Sequence, residues 1–576
     1  MTRSAHLLRA LLPCLLLSGG ALAEPRFTSV VPGSEPGSWI ATVADLVGKP
    51  SFHADGRLVE AEILSGGGEQ VRLRFTGLPA GTRFLGVSDG RANRPEASIL
   101  LQPAGDAIAD LTIYHIMVGH FANGSSANDR EGMRGFVHSN YAGGDLQGVL
   151  DKVDYIADLG VNAVWLSPIF EAESSHGYDV KNYYRIGAAR AVPGSPEESL
   201  ALYRKLRDAL HAKGIKLILD VPLNHAHQKY QRGAAGDPKE LGPKMTRAKQ
   251  TAEKTWESWG SPYRYWDMDD ADTRRFLKDA ALHWLVQEGA DGLRLDYVRG
   301  VDNAFWSELY AEVKAAKPDA VLIGEAWMDE GSPAQVMADM AAYYALVEGR
   351  PQFDALFDFP VQYAVTDVFG KGGDARVLEQ RMQAAEAAYG ETAAGYGGRP
   401  AWFLDNHDLA RLGAWAKDKD RIVAAVGMLS ALSGPAVLFY GTETGLSHPG
   451  AMPGFTDAGR VRMPWSGLDQ PMIEKVSSYL TLRRDMEVLR RGARLPLHAE
   501  EDVLVFAKQQ GDKVALVAVN LASNERTVTV ETGGLLPDTA PLQSRAGGGP
   551  APEVRDGRIV WRLPPVSTQI AATPDT

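Results

Sequence analysis

Acidic side chains stand at the ends of several strand-like segments in this chain of 576 residues. Asp296 ends the run GLRLD, Glu325 ends the run AVLIGE, and the run RPAWFLD leads into the tetrapeptide DNHD (405–408). A single acid in such a place is usually a turn or capping residue. Carboxylates from three different strands can instead act together, as the two acids of glycoside hydrolysis do.

Two of these acids have different neighbours in the sequence. Arg294 lies two residues before Asp296 on the same strand, so both side chains face the same way. A guanidinium lowers the pKa of a neighbouring carboxyl group, and we expect Asp296 to stay ionised, as a nucleophile should. Glu325 precedes Ala326 and Trp327, an apolar setting that would raise its pKa and keep its proton near neutral pH.

Eight strand-like runs alternate with amphipathic helical stretches in the middle of the chain. This alternation predicts a parallel sheet, and eight strand–helix units fit an α/β fold, a (β/α)8 TIM barrel with insertions. Catalytic groups of such barrels lie where the strands end, so the acids would share one mouth. A doubly wound open sheet is the alternative, which the lack of a glycine-rich phosphate loop after the first run disfavours. The runs are LTIYHIMV (111–118), VNAVWL (161–166), IKLILDV (215–221), GLRLD (292–296), AVLIGE (320–325), ALFDFP (355–360), RPAWFLD (399–405) and AVLFY (436–440).

Shorter alternating runs flank this region on both sides. Residues 24–105 and 491–576 consist of short β-like runs separated by Gly, Pro and Asp, and we predict an N-terminal and a C-terminal antiparallel β-sandwich. The barrel is assigned to residues 106–490. A connection too long for an ordinary loop predicts an inserted subdomain after the third strand, at about 226–266.

The first 23 residues have the parts of a secretory signal peptide. Arg3 and Arg9 precede the apolar run ALLPCLLL, which is far shorter than the roughly 20 residues that span a bilayer. The segment ends in small residues up to Ala23, as a cleavage site does. We therefore predict cleavage near Ala23 and a secreted or periplasmic protein; a buried first helix is the alternative.

Composition and charge exclude several classes of function. The formal net charge of −12 argues against nucleic acid or a membrane surface as the main partner. Hydrophobic and charged contents of 45% and 23% are those of a globular protein. The single cysteine, Cys14, cannot form an internal disulfide.

Four segments stand at the ends of the third, fourth, fifth and seventh strand-like runs: DVPLNH (220–225), GLRLDYVRG (292–300), IGEAW (323–327) and FLDNHD (403–408). These four resemble the signature sequences of the α-amylase family, glycoside hydrolase family thirteen. They occur in the family's order, each at the strand where the family has it, and the resemblance covers roughly residues 110–490. Two further segments, HGYDVKNYYRI (176–186) and FYGTETG (439–445), are also similar to the family.

The resemblance implies a role for each matching residue. Asp296 would be the nucleophile that forms a covalent glycosyl-enzyme, Glu325 the general acid and then base, and Asp408 the acid that holds sugar hydroxyls. In such a retaining enzyme the two carboxyl groups of Asp296 and Glu325 would be about 5–5.5 Å apart. The residues implied to bind or orient the substrate and the nucleophile are Tyr178, His225, Arg294 and His407.

The resemblance also implies a structural calcium ion. The segments FANGSSAND (121–129) and GGD (143–145) resemble a calcium loop of cyclodextrin glucanotransferases and neopullulanase-like enzymes. All candidate ligands offer oxygen, which calcium prefers. A polar surface loop is the alternative. The candidates are Asn123, Ser125, Asn128, Asp129, the Gly143 carbonyl and Asp145.

The function implied is a retaining hydrolase of α-1,4-glucosidic bonds in starch, maltodextrins or related α-glucans. A cyclomaltodextrinase- or neopullulanase-like enzyme, or an α-glucan transglycosylase, is the alternative, towards which GPAVLFYGTETG (434–445) and VRMPW (461–465) lean. A relative without catalysis is disfavoured because all three acids are present. Five aromatic residues of the insertion would form either sugar platforms or its own core: Trp256, Trp259, Tyr263, Tyr265 and Trp266.

Overall fold

The computed structural model divides the chain into two units, Met1–Leu101 and Gln102–Thr576. The residues it describes are 26–32, 38–46, 49–54, 57–66, 70–78, 84–88, 97–100, 106–129, 142–230, 245–246, 263–327, 332–394, 398–538 and 540–574. The segment interpreted as a signal peptide therefore lies outside the described residues.

Two antiparallel four-stranded sheets form the first unit. Their shared core takes Val43 and Phe75 from one sheet and Leu85 and Val87 from the other, so the sheets pack as a sandwich. In spatial order the first sheet consists of Arg26–Pro32, Trp39–Ala44, Gln70–Phe75 and Glu62–Gly66, and the second of Arg57–Val59, Ser51–Ala54, Phe84–Ser88 and Ala97–Leu100.

Eight parallel strands close into a barrel in the second unit. Each strand pairs with the next along the chain, and the eighth pairs with the first, where Ala436 stands opposite Thr112. Inward side chains such as Ile113, Ile218 and Ile323 fill the interior with a packed core. The prediction of a (β/α)8 TIM barrel is confirmed. The barrel strands, first to eighth, are Thr112–Ile116, Ala163–Leu166, Lys216–Pro222, Gly292–Asp296, Val321–Gly324, Ala355–Phe357, Arg399–Phe403 and Ala436–Phe439.

Helical segments follow every barrel strand. Several begin at a polar cap: the side chains of Ser195, Asp302 and Asp418 each accept a hydrogen bond from the backbone N–H three residues further on. Among the described residues, no helix is both long and apolar enough to cross a bilayer. The principal helices are Leu146–Leu150 and Val153–Asp158, Pro196–Ala212, Ala271–Leu282, Asn303–Ala316, Pro333–Tyr344, Phe359–Val365 and Ala375–Ala394, Lys419–Ser430, and Gln470–Asp485 with Glu487–Arg491.

A small antiparallel sheet follows the third barrel strand, within the predicted insertion. In spatial order its strands are His225–His227, Tyr263–Trp266 and Met245–Thr246, so Tyr263–Trp266 is the central strand. Tyr263, Tyr265 and Trp266 are buried, which favours the core interpretation of these aromatic residues. Trp256 and Trp259 lie outside the described residues.

Two antiparallel sheets form the C-terminal part of the second unit. Every second residue of the smaller sheet, including Val528, Val530 and Trp561, points into a core shared with the larger one. The predicted C-terminal sandwich is therefore present. The larger sheet has the order Ala493–Ala499, Val503–Gln510, Lys513–Asn520, Ser567–Ala572, Gln543–Ala546, and the smaller has the order Arg526–Glu531, Arg558–Leu563, Glu553–Arg555.

Candidate active site

The guanidinium of Arg294 joins carboxylates from three neighbouring barrel strands. The strand register places Arg294 opposite Asp220, and its Nη1 donates hydrogen bonds to Asp220 Oδ1 at 2.9 Å and to Asp296 Oδ1 at 2.6 Å. Its Nη2 lies 2.7 Å from Glu325 Oε1. All four side chains are almost completely buried. The structure thus brings the proposed nucleophile, the proposed acid and the predicted orienting arginine together.

One buried guanidinium does not keep all three carboxyl groups ionised. Burial raises the pKa of Asp220 to about 7 and that of Glu325 to about 8, against the opposing effect of Arg294. Burial also raises the pKa of Asp296, and Arg294 again opposes the rise. The prediction of a lowered pKa for Asp296 is therefore wrong, because desolvation outweighs the attraction of a shared cation. Glu325 keeps its proton at pH 7, as a general acid requires.

The carboxyl group of Glu325 affects the pKa of Asp296. A hydrogen bond from the Glu325 carboxyl group favours the ionised form of Asp296. The predicted separation of about 5–5.5 Å stays a prediction.

Tyr297, directly after Asp296, has its backbone in the left-handed region, with φ 43° and ψ 60°. For a residue with a side chain, this conformation costs on the order of 1–3 kcal/mol. The Tyr297 N–H donates to Glu325 Oε2 at 3.1 Å. Sequence reasoning missed this residue, since nothing in GLRLDYVRG indicates a left-handed backbone.

Asp408, from the loop after the seventh strand, is paired with an arginine that sequence reasoning also missed. Arg460 Nη2 donates to Asp408 Oδ1 at 2.6 Å, and both side chains are largely buried. The only signal in the sequence is the position of Arg460 immediately before VRMPW. Its partner could not be read from that position.

A chain of hydrogen bonds determines the tautomer of His407. The Tyr178 hydroxyl donates to Asp220 Oδ2 at 2.8 Å, so it accepts from His407 Nε2, which is 2.6 Å away. Nε2 therefore carries the ring proton, and it lies 3.1 Å from Asp408 Oδ2. Burial, with two arginines nearby, holds the pKa of His407 well below its usual range, so the ring is neutral. The Tyr178 and His407 rings are parallel, with centroids 5.3 Å apart.

His225 lies at the same mouth but is completely buried. Its Nε2 is 3.0 Å from the Tyr178 backbone oxygen, and its Nδ1 is 2.7 Å from Asn224 Oδ1. The ring therefore holds the Tyr178 backbone in place. Its contact with sugar hydroxyls stays a prediction.

Three of the six predicted calcium ligands, Asn123, Asp129 and Gly143, meet in one loop, where the Asn123 amide nitrogen donates to both oxygens of Asp129 at 3.0 and 3.1 Å. A Cβ built on Gly143 would come within 2.4 Å of Asn123 Nδ2 and 2.9 Å of Asp129 Oδ1, so these three residues meet. The buried Asn128 Oδ1 has no hydrogen-bond partner among the described residues. Asn128 Oδ1 and the Asp129 carboxylate are oxygen donors of the kind that calcium prefers, whereas Asn123 directs its amide nitrogen at Asp129.

Asp145 has a different role from the one predicted. Its Oδ1 accepts hydrogen bonds from the N–H groups of Gly124 and Gly148, and its Oδ2 accepts from Ser125 N–H and the Asn128 amide. Four donors occupy this carboxylate, which caps the following helix. Ser125 contributes its backbone to this cap. Within the described ranges, no group of three or more His, Cys, Asp or Glu side chains could hold a metal ion.

Comparison with known proteins gives consistent matches. Residues 115–460 match the family model described as the α-amylase catalytic domain. Neopullulanase 2 of Thermoactinomyces vulgaris is 28% identical, over 81% of this chain and 79% of that protein. A cyclomaltodextrinase of Geobacillus thermopakistaniensis is 29% identical, over 73% of this chain and 70% of that protein. The solved α-amylase of Anoxybacillus has a TM-score of 0.68 at 27% identity, covering 81% of this chain and 99% of that chain.

The prediction of a secreted or periplasmic protein is wrong on this comparison. One relative is the intracellular maltogenic amylase of Bacillus subtilis, 26% identical over 66% of this chain and 62% of that protein. The segment on which the prediction rested lies outside the described residues, so no signal peptide is shown. A basic start with a short apolar run is a compositional signal and does not by itself establish export.

Proposed function

The chain belongs to the α-amylase family of glycoside hydrolases, and we propose that it cleaves α-1,4-glucosidic bonds with retention of configuration. Membership of this amylolytic family makes it an enzyme that acts on α-glucans. The observation that carries the finer proposal is the contact of one buried arginine, Arg294, with both Asp296 and Glu325. This contact supports a nucleophile and an acid acting on the same bond.

Asp296 would attack the anomeric carbon while Glu325 gives its proton to the departing glycosidic oxygen. The bond between that carbon and that oxygen breaks as the ester to Asp296 forms. Glu325, now ionised, would take a proton from water, and the resulting hydroxide equivalent would displace Asp296 and restore both acids. The raised pKa of Glu325, about 8, supports the first role, because the group is protonated when substrate binds at neutral pH.

The remaining groups at the mouth would hold the sugar at the reacting carbon. Asp408 would accept hydrogen bonds from sugar hydroxyls, while His407, whose Nε2–H donates to the Tyr178 hydroxyl and lies 3.1 Å from Asp408 Oδ2, would keep both groups in place. Tyr178 is slightly exposed, and its ring would stack on the sugar. Arg294 would orient Asp296 through the hydrogen bond at 2.6 Å.

Short and cyclic α-glucans are the substrates that we propose ahead of starch. The relatives named cyclomaltodextrinase and neopullulanase, and the maltogenic amylases, support this choice. An α-amylase acting mainly on starch is the other candidate, since solved α-amylases share the fold at 26–27% identity.

The test uses the full chain with β-cyclodextrin, maltoheptaose and soluble starch. We expect higher kcat/KM for the first two substrates than for starch, and products that appear first as the α-anomer in proton NMR. Preference for starch would reverse the substrate order, and products longer than maltoheptaose would indicate a transglycosylase. Products of β configuration, or no release from any of the three, would contradict the mechanism or the function respectively.

Calcium is a further part of the proposal. Asn128, Asp129 and the Gly143 carbonyl would hold the ion, together with Asn123 once its amide group has turned its oxygen towards Asp129. Bound there, it would supply no chemistry to the reaction and would tie the loop after the first strand together.

A further inference from the structure

A left-handed residue directs two consecutive amides at the proposed acid. In an extended strand, successive backbone N–H groups point to opposite sides. At Tyr297 the positive φ of 43° breaks this alternation. The N–H of Tyr297 lies 3.1 Å from Glu325 Oε2, and the N–H of Val298 lies 3.0 Å from the Glu325 backbone oxygen. The two amides therefore hold Glu325 at two points, one on its carboxyl group and one on its backbone.

Further contacts hold this arrangement in place. The Glu325 N–H donates to the Leu295 backbone oxygen at 3.0 Å, so residues on both sides of Asp296 bind Glu325. The Tyr297 side chain is only 4% exposed. Unfavourable backbone conformations of this kind persist only where the surroundings enforce them, and they cluster at functional sites.

We propose that Tyr297 is a positioning residue for the general acid: its left-handed backbone lets its own N–H meet Glu325 Oε2 while the next N–H, of Val298, meets the Glu325 backbone oxygen, and the carboxyl group is thereby fixed. With Oε2 held by this amide, Oε1 faces Arg294 at 2.7 Å. The backbone at Tyr297 thereby sets the direction in which Glu325 presents its proton. This inference rests on the proposed function, in which Glu325 is the acid.

The same hydrogen bond affects the titration of Glu325. The charged groups that face its carboxyl group are Arg294 and Asp296 on the fourth strand and Asp408 after the seventh. Burial raises the pKa of Glu325, whereas the Tyr297 amide lowers it, because an N–H donor favours the ionised carboxylate. Loss of the amide contact would therefore raise that pKa further.

Substitutions at position 297 separate the backbone from the side chain. Tyr297→Gly and Tyr297→Ala both lack the phenol, but only glycine accepts a positive φ without cost. In Tyr297→Asn the new residue has a side chain and still tolerates the left-handed conformation. In Tyr297→Val the side chain is branched at Cβ and disfavours that conformation most strongly. Asp556, with φ 49° in a turn of the C-terminal sandwich, provides a matched control: Asp556→Val introduces the same conflict far from Glu325.

The measurement is the pH profile of kcat/KM on β-cyclodextrin, with kcat at the optimum. We expect the alkaline limb of the Ala and Val variants to move up by about one pH unit relative to the Gly variant. We also expect their kcat to be about 10- to 100-fold lower than that of the Gly variant, because the acid is misplaced. The Asn variant should keep the limb of the wild type, and Asp556→Val should leave both readouts unchanged.

The inference would be overturned if the Gly and Ala variants had the same kcat and if their kcat/KM declined at the same alkaline pH. Thermal unfolding identifies any variant that does not fold, and if Tyr297→Val is one, the Gly and Ala pair alone decides. Inactivity of the wild type on every α-glucan would contradict the proposed function itself. Wild-type activity with no difference within the series would remove only the role of Tyr297.

Discussion

Arg460 Nη2 lies 2.6 Å from Asp408 Oδ1, although the two residues are 52 positions apart in the chain. The same guanidinium donates through Nε to the backbone oxygen of His407 at 2.7 Å. Arg460 therefore holds two consecutive residues of the DNHD segment, one through its side chain and one through its backbone. This contact determines the direction in which the Asp408 carboxylate faces the mouth of the barrel.

Replacing Arg460 by methionine should impair both activity and stability. We expect kcat/KM on β-cyclodextrin to fall about 100-fold, because Asp408 loses its orientation. The free energy of unfolding should fall by about 3–5 kcal/mol, since a buried carboxylate is left without its cation. Steady-state kinetics and urea unfolding measure the two effects. Arg462→Met, two residues further on and exposed, is the control, and an equal loss there would contradict the specific role of Arg460.

Asp296→Asn should reduce kcat by more than about a thousandfold, because the amide cannot form the glycosyl ester. The measurement is single-turnover and steady-state hydrolysis of maltoheptaose. Asp485→Asn, at an exposed carboxylate, is the matched control and should retain wild-type rates. A near-normal kcat in Asp296→Asn would assign the nucleophile elsewhere.

The rate should depend on pH through Glu325. The acid must be protonated to act, so kcat/KM should fall as pH rises through about 8, the pKa of Glu325. Glu325→Gln should lose most of its activity, and the kcat/KM that remains should show no decline near pH 8. A wild-type limb near pH 6 would show that another group governs the alkaline decline.

The stability of the wild type should fall with rising pH through Glu325, and Glu325→Gln should lack this dependence. Folding raises the pKa of Glu325 from its ordinary value of 4.5 to about 8, so the folded state binds the proton more tightly than the unfolded state between these two values. Its contribution to stability is therefore lost as pH rises from about 4.5 to 8. Glu325→Gln carries no such charge, and we expect its Tm to exceed that of the wild type at pH 9 and to match it near pH 4.5. A constant difference in Tm would contradict this linkage.

Removal of calcium should lower the Tm of the wild type. A ligand present at 100 times its Kd stabilises the folded state by about 2.7 kcal/mol, and EDTA would remove that contribution. Asp129→Ala should abolish the difference between calcium and EDTA, whereas Asp151→Ala, at an exposed acid of the following helical segment, should preserve it. Identical Tm values for the wild type in calcium and EDTA would show that the loop binds no calcium.

The barrel and the location of its acids can be predicted because their signals are local. Period-two apolar runs and 3.6-residue periodicity arise within single elements, and their alternation determines the strand order. Closure of the barrel then brings the ends of strands three, four and five together. Asp296 and Glu325 could therefore be assigned to one site from the ends of GLRLD and AVLIGE alone.

The direction in which the pKa of Asp296 shifts on folding could not be predicted in the same way. The sequence shows that Arg294 is close to Asp296, but it does not show that the same guanidinium also pairs with Asp220 and Glu325. The cost of burying a charge depends on how completely the folded chain excludes water, and no local pattern measures that. The role of Asp145 was missed for a related reason, since its four donors come together only in the folded loop.

By itself, the sequence determined the (β/α)8 class, the family and the residue types at the strand ends, because periodicity and short motifs are properties of neighbouring positions. Only the tertiary structure decided that Arg460 pairs with Asp408, that Tyr297 turns its amide to Glu325, and that burial outweighs Arg294 at Asp296. The reason is physical: pairing across the mouth, backbone strain and desolvation depend on distances and solvent exclusion that exist only when the barrel has closed.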